Sequence, residues 1–458
     1  MKPDYDVVIV GAGPAGLAAA FEFSSISDLS ILLIDKGKSI EERDCSSLER
    51  LCADHSVCNI THGSGGAGLY SYGKLCLDPT VGGDISKFYN TDETAEFMQR
   101  VVEMLSMDDQ QITTESRKST DILECRELFN RYGLDFKFYD VVRVGLKDRI
   151  SKVKNLEKRL RERGIQFRFG TEVSSISANG QLSITAGKEK FSSRYLIAAP
   201  GKIGANWFYS QCENLGIRSI NNPLYLGVRL EFPREITAEL AKLTDNPKIS
   251  MVFDNGDYVK THCFSDKRRV VIADYNGLKL VEGSYLETAE SDNAAFNIVT
   301  KINLPQWTVP FQHSRRFVEQ VNSFGKGRPV VQTVKDLFEF KETDQKALKN
   351  LAIAPTLNDC RCADLGHLYS VRFADRLSRF IKQVDKVLPG FGLGENLIYA
   401  PFVEWWMKKV DVIRTFETSK PNLYAIGDGA GMSQGIIAAG MRGVACARAI
   451  YFKELTGR

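Results

Sequence analysis

The strongest constraint in this 458-residue chain lies near residue 10. Tyr5-Asp6-Val7-Val8-Ile9-Val10 is an apolar run of strand length; Gly11-Ala12-Gly13-Pro14-Ala15-Gly16 follows at once and leads into Leu17-Ala18-Ala19-Ala20-Phe21-Glu22-Phe23. This order predicts a buried parallel strand, a glycine turn and a helix. A second apolar run, residues 29–34, ends at Asp35, nineteen residues beyond Gly16, where a carboxylate can accept hydrogen bonds from a ribose. The three glycines have separable uses. Gly11 permits the tight turn, Gly13 lets backbone approach a pyrophosphate, and Gly16 lets helix and strand pack closely. Phosphates would then meet the unpaired N–H groups and partial positive charge of a helix N-terminus, with no lysine required.

The far end of the chain decides which dinucleotide. Asn422-Leu423-Tyr424-Ala425-Ile426-Gly427-Asp428-Gly429-Ala430-Gly431 is a short apolar strand running into Gly-Asp-Gly, and a small-residue helix follows over residues 435–445. Here the chain resembles the two-dinucleotide-fold, glutathione-reductase-like flavoproteins, whose late Gly-Asp motif holds the ribityl chain of FAD; Asp428 is the matching residue. The middle of the chain agrees. An amphipathic helix around Leu156 and Leu160 ends at Gly164, and a strand over residues 165–169 leads to Thr171-Glu172-Val173, where the resemblance implies a backbone contact from Val173 to adenine. After a hairpin around Asn179-Gly180, the strand Tyr195-Leu196-Ile197-Ala198-Ala199 runs into Pro200-Gly201, similar to the family's Ala-Thr-Gly turn with proline in place of threonine. The stretch of residues 58–75 with Gly82-Gly83, together with residues 327–337 and Leu388-Pro389-Gly390-Phe391, resembles a subgroup of FAD-dependent dehydrogenases that has no established substrate.

Composition narrows the partners. Lys and Arg total 60 against 57 Asp and Glu, a net charge of +3 with both signs scattered, which provides no electrostatic grip on nucleic acid or on an anionic membrane. Val7-Val8-Ile9-Val10, flanked by Asp6 and Gly11, is too short for a span or a signal core, so no integral membrane association and a cytoplasmic location are expected. The ten cysteines contain no CxxC pair and read as mostly reduced thiols, which disfavours a disulfide reductase. Cys360-Arg361-Cys362 with His367 is a poor zinc pattern, and no metal is expected. Cys45, Cys52 and Cys58, with His55 and His62, read either as small buried hydrophobes or as a redox-active cluster beside the glycine-rich loop.

The expected fold class is α/β: a discontinuous Rossmann-like FAD-binding domain over residues 1–90, 140–205 and 400–458, a helical insertion over 91–139, and an α+β substrate or lid domain over 206–399. Period-two alternation in residues 223–233, 258–264 and 270–273 predicts a mainly antiparallel sheet in the substrate domain. Residues 370–387, with Val371, Phe373, Leu377, Phe380, Ile381 and Val384 apolar, read as an amphipathic helix whose stripe is core.

The cofactor set expected from motif and resemblance together is Gly11, Gly13, Pro14, Ala15, Gly16, Asp35, Lys36, Gly66, Val173, Gly201, Gly427, Asp428, Gly435 and Ile436. In the resembling proteins the helix starting near Gly435 points its N-terminus at the flavin, where its partial positive charge favours accepting a hydride; the bland alternative is close packing by Ala438, Ala439 and Gly440. Seven glycines between His62 and Gly83 read as a ligand-adjacent loop. For catalysis the candidates are Lys74, which otherwise reads as a solvated lysine, and Glu404 with Trp406. Alternation over residues 402–410 would set these last two on one face and Trp405 with Met407 on the other; the alternative is two core tryptophans and a surface glutamate. No second glycine fingerprint follows a strand, so reducing equivalents come by a transient NAD(P)H visit, from a protein electron donor, or from the substrate. The function expected is dehydrogenation, or C=C or C=N reduction, of a hydrophobic or conjugated small molecule; the alternatives are a flavin monooxygenase and a non-catalytic FAD-bearing protein.

Overall fold

The computed structural model describes residues 2–44, 56–106, 112, 119–275, 277–284, 290–404 and 408–457. The chain divides into two compact units, residues 1–114, 142–222 and 408–458 in one and residues 115–141 with 223–407 in the other.

In the first unit, Gln166–Arg168, Ile31–Ile34, Tyr5–Val10 and Glu189–Ala198 lie side by side and parallel, and Leu423–Ala425 also pairs parallel with Glu189–Ala198. The earlier part of that long strand pairs antiparallel with Leu182–Ala186, which pairs in turn with Val173–Ser177. Val7 is opposite both Ile31 and Tyr195, and Val10 opposite Ile34 and Ala198. The opening strand is therefore internal, and Val7, Val8 and Ile9 have no exposed surface. A strand covered on both faces needs a continuous apolar run, and each such side chain contributes roughly 1.5–3 kcal/mol on burial. The parallel strands end at Val10, Ile34, Ala198 and Ala425, so Gly11, Asp35, Pro200 and Gly427 gather along one sheet edge, the edge at which open α/β sheets bind ligands.

Two helices pack behind that edge. Pro14–Ile26 begins with proline in its first turn, where no N–H partner is lost. It lies against Ile436–Thr456 so closely that a Cβ on Gly443 would strike the Ala15 carbonyl. The helix Thr91–Leu105, started by a reciprocal Asn90–Glu93 capping box, belongs to this unit, whereas Ser119–Arg131 belongs to the second. Residues 91–139 are thus split between the units and do not form one insertion, because each helix finds its apolar cover in a different core.

The second unit is built on an eight-stranded sheet in the order Arg361–Cys362, Val330–Thr333, Leu397–Glu404, Leu224–Pro233, Glu290–Ile302, Tyr258–Arg268, Lys248–Val252, Asp135–Lys137. Only the first pair is parallel. Leu397–Glu404 pairs on both sides, Leu230 with Ile398 and Val331 with Tyr399, so residues 400–404 go with this unit and not with the first. Residues 206–222, expected here, lie in the first unit. The helix Val371–Asp385 buries Phe373, Leu377, Phe380, Ile381 and Val384 against Val228, Leu230 and Phe296. Val371 departs from the expected stripe: as the first helical residue it is 68% exposed.

Candidate cofactor site

The three fingerprint glycines differ in what surrounds them. Gly11 has φ +112°, and a Cβ there would strike the Ala199 carbonyl; a Cβ on Gly16 would strike the Gly11 carbonyl and come within 3.2 Å of Ile9 Cγ2. Both are glycine because the chain needs the room. Gly13 is different. Its φ of −77° suits any residue, and a Cβ would meet nothing nearer than Gly66 Cα at 3.9 Å. It stands at the start of Pro14–Ile26, whose first turn carries N–H groups that no helical carbonyl can reach. Glycine at position 13 is thus not required by the chain's own packing, and it stands beside a helix N-terminus whose free N–H groups suit a pyrophosphate.

Asp35 sits at the end of the second strand, but most of its acceptor capacity goes to backbone. Oδ2 accepts from Ala12 N at 2.8 Å, and Oδ1 from Gly37 N at 2.7 Å and Gly63 N at 3.0 Å. A carboxylate has about four acceptor positions, so roughly one is left for a ribose. The residue joins the first glycine turn to the second. Gly65 N adds a bond to the Ala12 carbonyl at 2.9 Å. Arg43, 4% exposed, donates to the carbonyls of Asn59, Ile60, Ser64 and Gly66 at 2.6–2.8 Å, and burial pulls its guanidinium down to about 10. Lys36 faces outward to Glu172 at 2.8 Å.

The glycines of the second loop have a use inside the chain that sequence reasoning did not foresee. A Cβ on Gly63 would crowd Lys38 O, on Gly66 the Gly13 Cα at 2.9 Å, on Gly68 the Ile436 Cγ1 at 2.8 Å, and on Gly73 the Arg149 side chain. Gly82 and Gly83 pack on residues 432–434 in the same way. These glycines let the loop lie flat on the fingerprint and on the start of the last helix.

The late motif closes the group. Gly427 (φ +78°) brings its backbone to Ala15, where a Cβ would stand 3.1 Å from Ala15 Cβ. Gly429 rests on Pro200 and Gly201, so the proline in the middle turn serves as a packing surface. Asp428 lies deep among protein atoms yet is only half-buried by exposure, the situation of a group on the floor of a crevice. Ser433 Oγ donates to its Oδ1 at 3.0 Å. Burial pushes the carboxyl up to about 6, against the Ser433 hydrogen bond and the charges of Lys202 and Arg442. Gly201 (φ +66°) and Gly435 (φ +104°), at the starts of Gly201–Leu215 and Ile436–Thr456, each have nothing within 4 Å of a built Cβ. Val173 is buried at the start of its strand. The helix N-terminus at Gly13, the crevice carboxylate and two open helix starts form a donor and acceptor set that fits a flavin dinucleotide.

The catalytic candidates are carried by other strands. Lys74 lies on Lys74–Cys76 with Nζ 4.8 Å over the Tyr72 ring, which Arg143 also faces at 4.6 Å. Glu404 ends its strand in the second unit and is 2% exposed, so it is not a surface glutamate. Lys260 Nζ approaches its two carboxylate oxygens at 3.2 and 3.4 Å, and His262 Nδ1 is 4.0 Å away. Lys260 also stands 4.2 Å over the Tyr225 ring, and Lys248 Nζ is 3.4 Å from His262 Nδ1. Period-two spacing on Tyr258–Arg268 was the signal for Lys260 and His262. Trp405, Trp406 and Met407 lie outside the described residues, as do Cys45, Cys52 and His55. Among the described residues no cluster could hold a metal ion, and no helix is long and apolar enough to cross a membrane. Burial pushes the thiols of Cys360 and Cys362 up to about 12 and about 11.

No family model and no curated protein matches the chain. Among solved structures, glycine oxidase from Geobacillus kaustophilus aligns over 98% of this chain and 95% of its own, at 11% identity and a TM-score of 0.40. CmlS, a flavin-dependent halogenase, aligns over 100% and 60% at 13% identity and 0.44, and CtdE in complex with FAD over 97% and 84% at 12% and 0.35. Likenesses this distant assign nothing to this chain.

Proposed function

We propose that the chain is an FAD-dependent oxidoreductase that dehydrogenates a hydrophobic or conjugated small molecule, or runs the reverse C=C or C=N reduction. The observation that carries the cofactor is Gly13 at the helix N-terminus, a glycine that neither backbone conformation nor packing requires. In this reading the first turn of Pro14–Ile26 holds the pyrophosphate, Asp428 accepts from the ribityl chain, Val173 borders the adenine, and the open start of Ile436–Thr456 places its partial positive charge beside the ring. FAD, when bound, supplies two-electron hydride exchange.

One substitution tests the cofactor assignment. Gly13→Ala should fold with an unchanged melting temperature when cofactor-free, because the methyl would meet nothing nearer than Gly66 Cα at 3.9 Å, an ordinary contact, and should purify colourless. A yellow G13A protein with wild-type FAD content would remove the pyrophosphate from this turn.

A further inference from the structure

Behind the crevice, Asp84 collects three cations. Lys409 Nζ lies 2.5 Å from Oδ2, Lys87 Nζ 3.3 Å from the same oxygen, and Arg442 Nη2 3.3 Å from Oδ1. Lys87 is exposed, but Arg442 has no exposed surface and interrupts a helical stretch of alanine, glycine, methionine and valine. Burial pulls its guanidinium down to about 10, and Nε has no hydrogen-bond partner among the described residues. A charge held at that cost needs a structural or functional return.

The surroundings show what it fastens. A Cβ on Gly83 would fall 2.6 Å from Arg442 Nη2 and 2.6 Å from the Met432 carbonyl, so the guanidinium and the 432–434 backbone close on Gly83 together. Gly83 bridges to Ser433, and Gln434 N donates to the Gly82 carbonyl at 2.7 Å. Ser433 is the residue whose hydroxyl donates to Asp428. A continuous path therefore runs from Arg442 through Asp84 and the Gly82–Gly83 backbone to the crevice carboxylate.

We propose that Arg442 is a positioning residue for the cofactor: through Asp84 it clamps residues 82–84 onto residues 432–434, and so holds Asp428 and the open start of the last helix in the geometry the ribityl chain needs. This rests on the assignment of the crevice to FAD. Arg442 also acts on Asp428 through its charge; Lys202, from Gly201–Leu215, is the other cation facing that carboxyl, Ser433 is the hydroxyl on its own turn, and Asp84 opposes Arg442 from the loop.

The test is FAD titration of cofactor-free wild type, Arg442→Met, Arg442→Lys and Asp84→Asn between about pH 5 and pH 8, across the range where Asp428 titrates. R442M should raise Kd about tenfold or more, and the pH below which affinity falls should move upward because a cation has left Asp428. R442K should restore that pH dependence but only part of the affinity. D84N, the variant to read if R442M does not fold, should also weaken binding, with the pH dependence displaced downward, because Arg442 and Lys409 lose their counter-charge. Wild-type Kd and pH dependence in R442M, or in D84N where R442M is insoluble, would overturn the proposal. Equal displacement in the same direction for R442M and D84N would overturn it too. A wild type that takes up no FAD at any pH would instead sink the cofactor assignment.

Discussion

Replacing Asp428 with asparagine is expected to stabilise the cofactor-free protein above pH 6 while weakening its hold on FAD. Burial raises this carboxyl from 3.8 to about 6. Between those values the folded chain keeps a proton that the unfolded chain releases, so the stability of the cofactor-free protein falls as pH rises through that window. The loss reaches up to ~3 kcal/mol above it, less because the group keeps part of its surface in solvent. Asparagine carries no charge, so D428N should show no such decline. FAD works in the other direction. A ribityl hydroxyl donates best to the ionised carboxylate, so wild-type affinity should drop about tenfold per unit below pH 6, and the variant should bind about 10- to 100-fold more weakly at neutral pH without that slope. Melting curves of the cofactor-free proteins and FAD titrations at acid and neutral pH check both halves. Wild-type affinity flat through pH 6, or a D428N melting temperature no higher than wild type at neutral pH, would refute the assigned role.

Glu22→Ala is expected to bring the largest loss of stability. Glu22 is 1% exposed on the inner face of Pro14–Ile26, with Arg100 Nε at 2.6 Å from one oxygen and Arg448 Nε at 2.7 Å from the other. The carboxylate ties the fingerprint helix to Thr91–Leu105 and Ile436–Thr456 together. Removing it leaves two half-buried guanidinium groups facing each other, a change that costs about 3–5 kcal/mol. Glu22→Gln, which keeps the shape and one acceptor, should cost less. Denaturant unfolding of the three proteins measures this. A loss below about 1 kcal/mol in the alanine variant would show the two arginines to be satisfied by Glu96, Glu103 and solvent, as an exposed network would be.

Much of the first unit was legible because its signals are local. A doubly covered strand is an unbroken apolar run, a left-handed turn favours glycine, and Asn-Gly favours a hairpin turn; these rules placed the Tyr5–Val10 strand, the helix after it, the hairpin around Asn179-Gly180 and the Gly-Asp turn. The unit boundaries were less legible. Nothing within residues 400–404 says that their strand completes the second sheet, because that choice depends on partners at residues 224–233 and 330–333. The loop glycines misled in one respect: permissive backbone is needed as much where two chain segments meet as where a ligand arrives, and composition does not distinguish the two.

The order of amino acids alone determined the strand, turn and helix, the acid ending the second strand, and the late Gly-Asp pair, since hydrophobic period and backbone freedom act within a few residues. Tertiary structure decided what each group serves. It showed that Gly11 and Gly16 make room for the chain, whereas a Cβ on Gly13 would meet nothing nearer than Gly66 Cα at 3.9 Å. It turned most of Asp35 toward backbone N–H groups, and it set Arg442 against Asp84 across 358 positions. Such pairings follow from how distant segments pack, and no short-range rule encodes them.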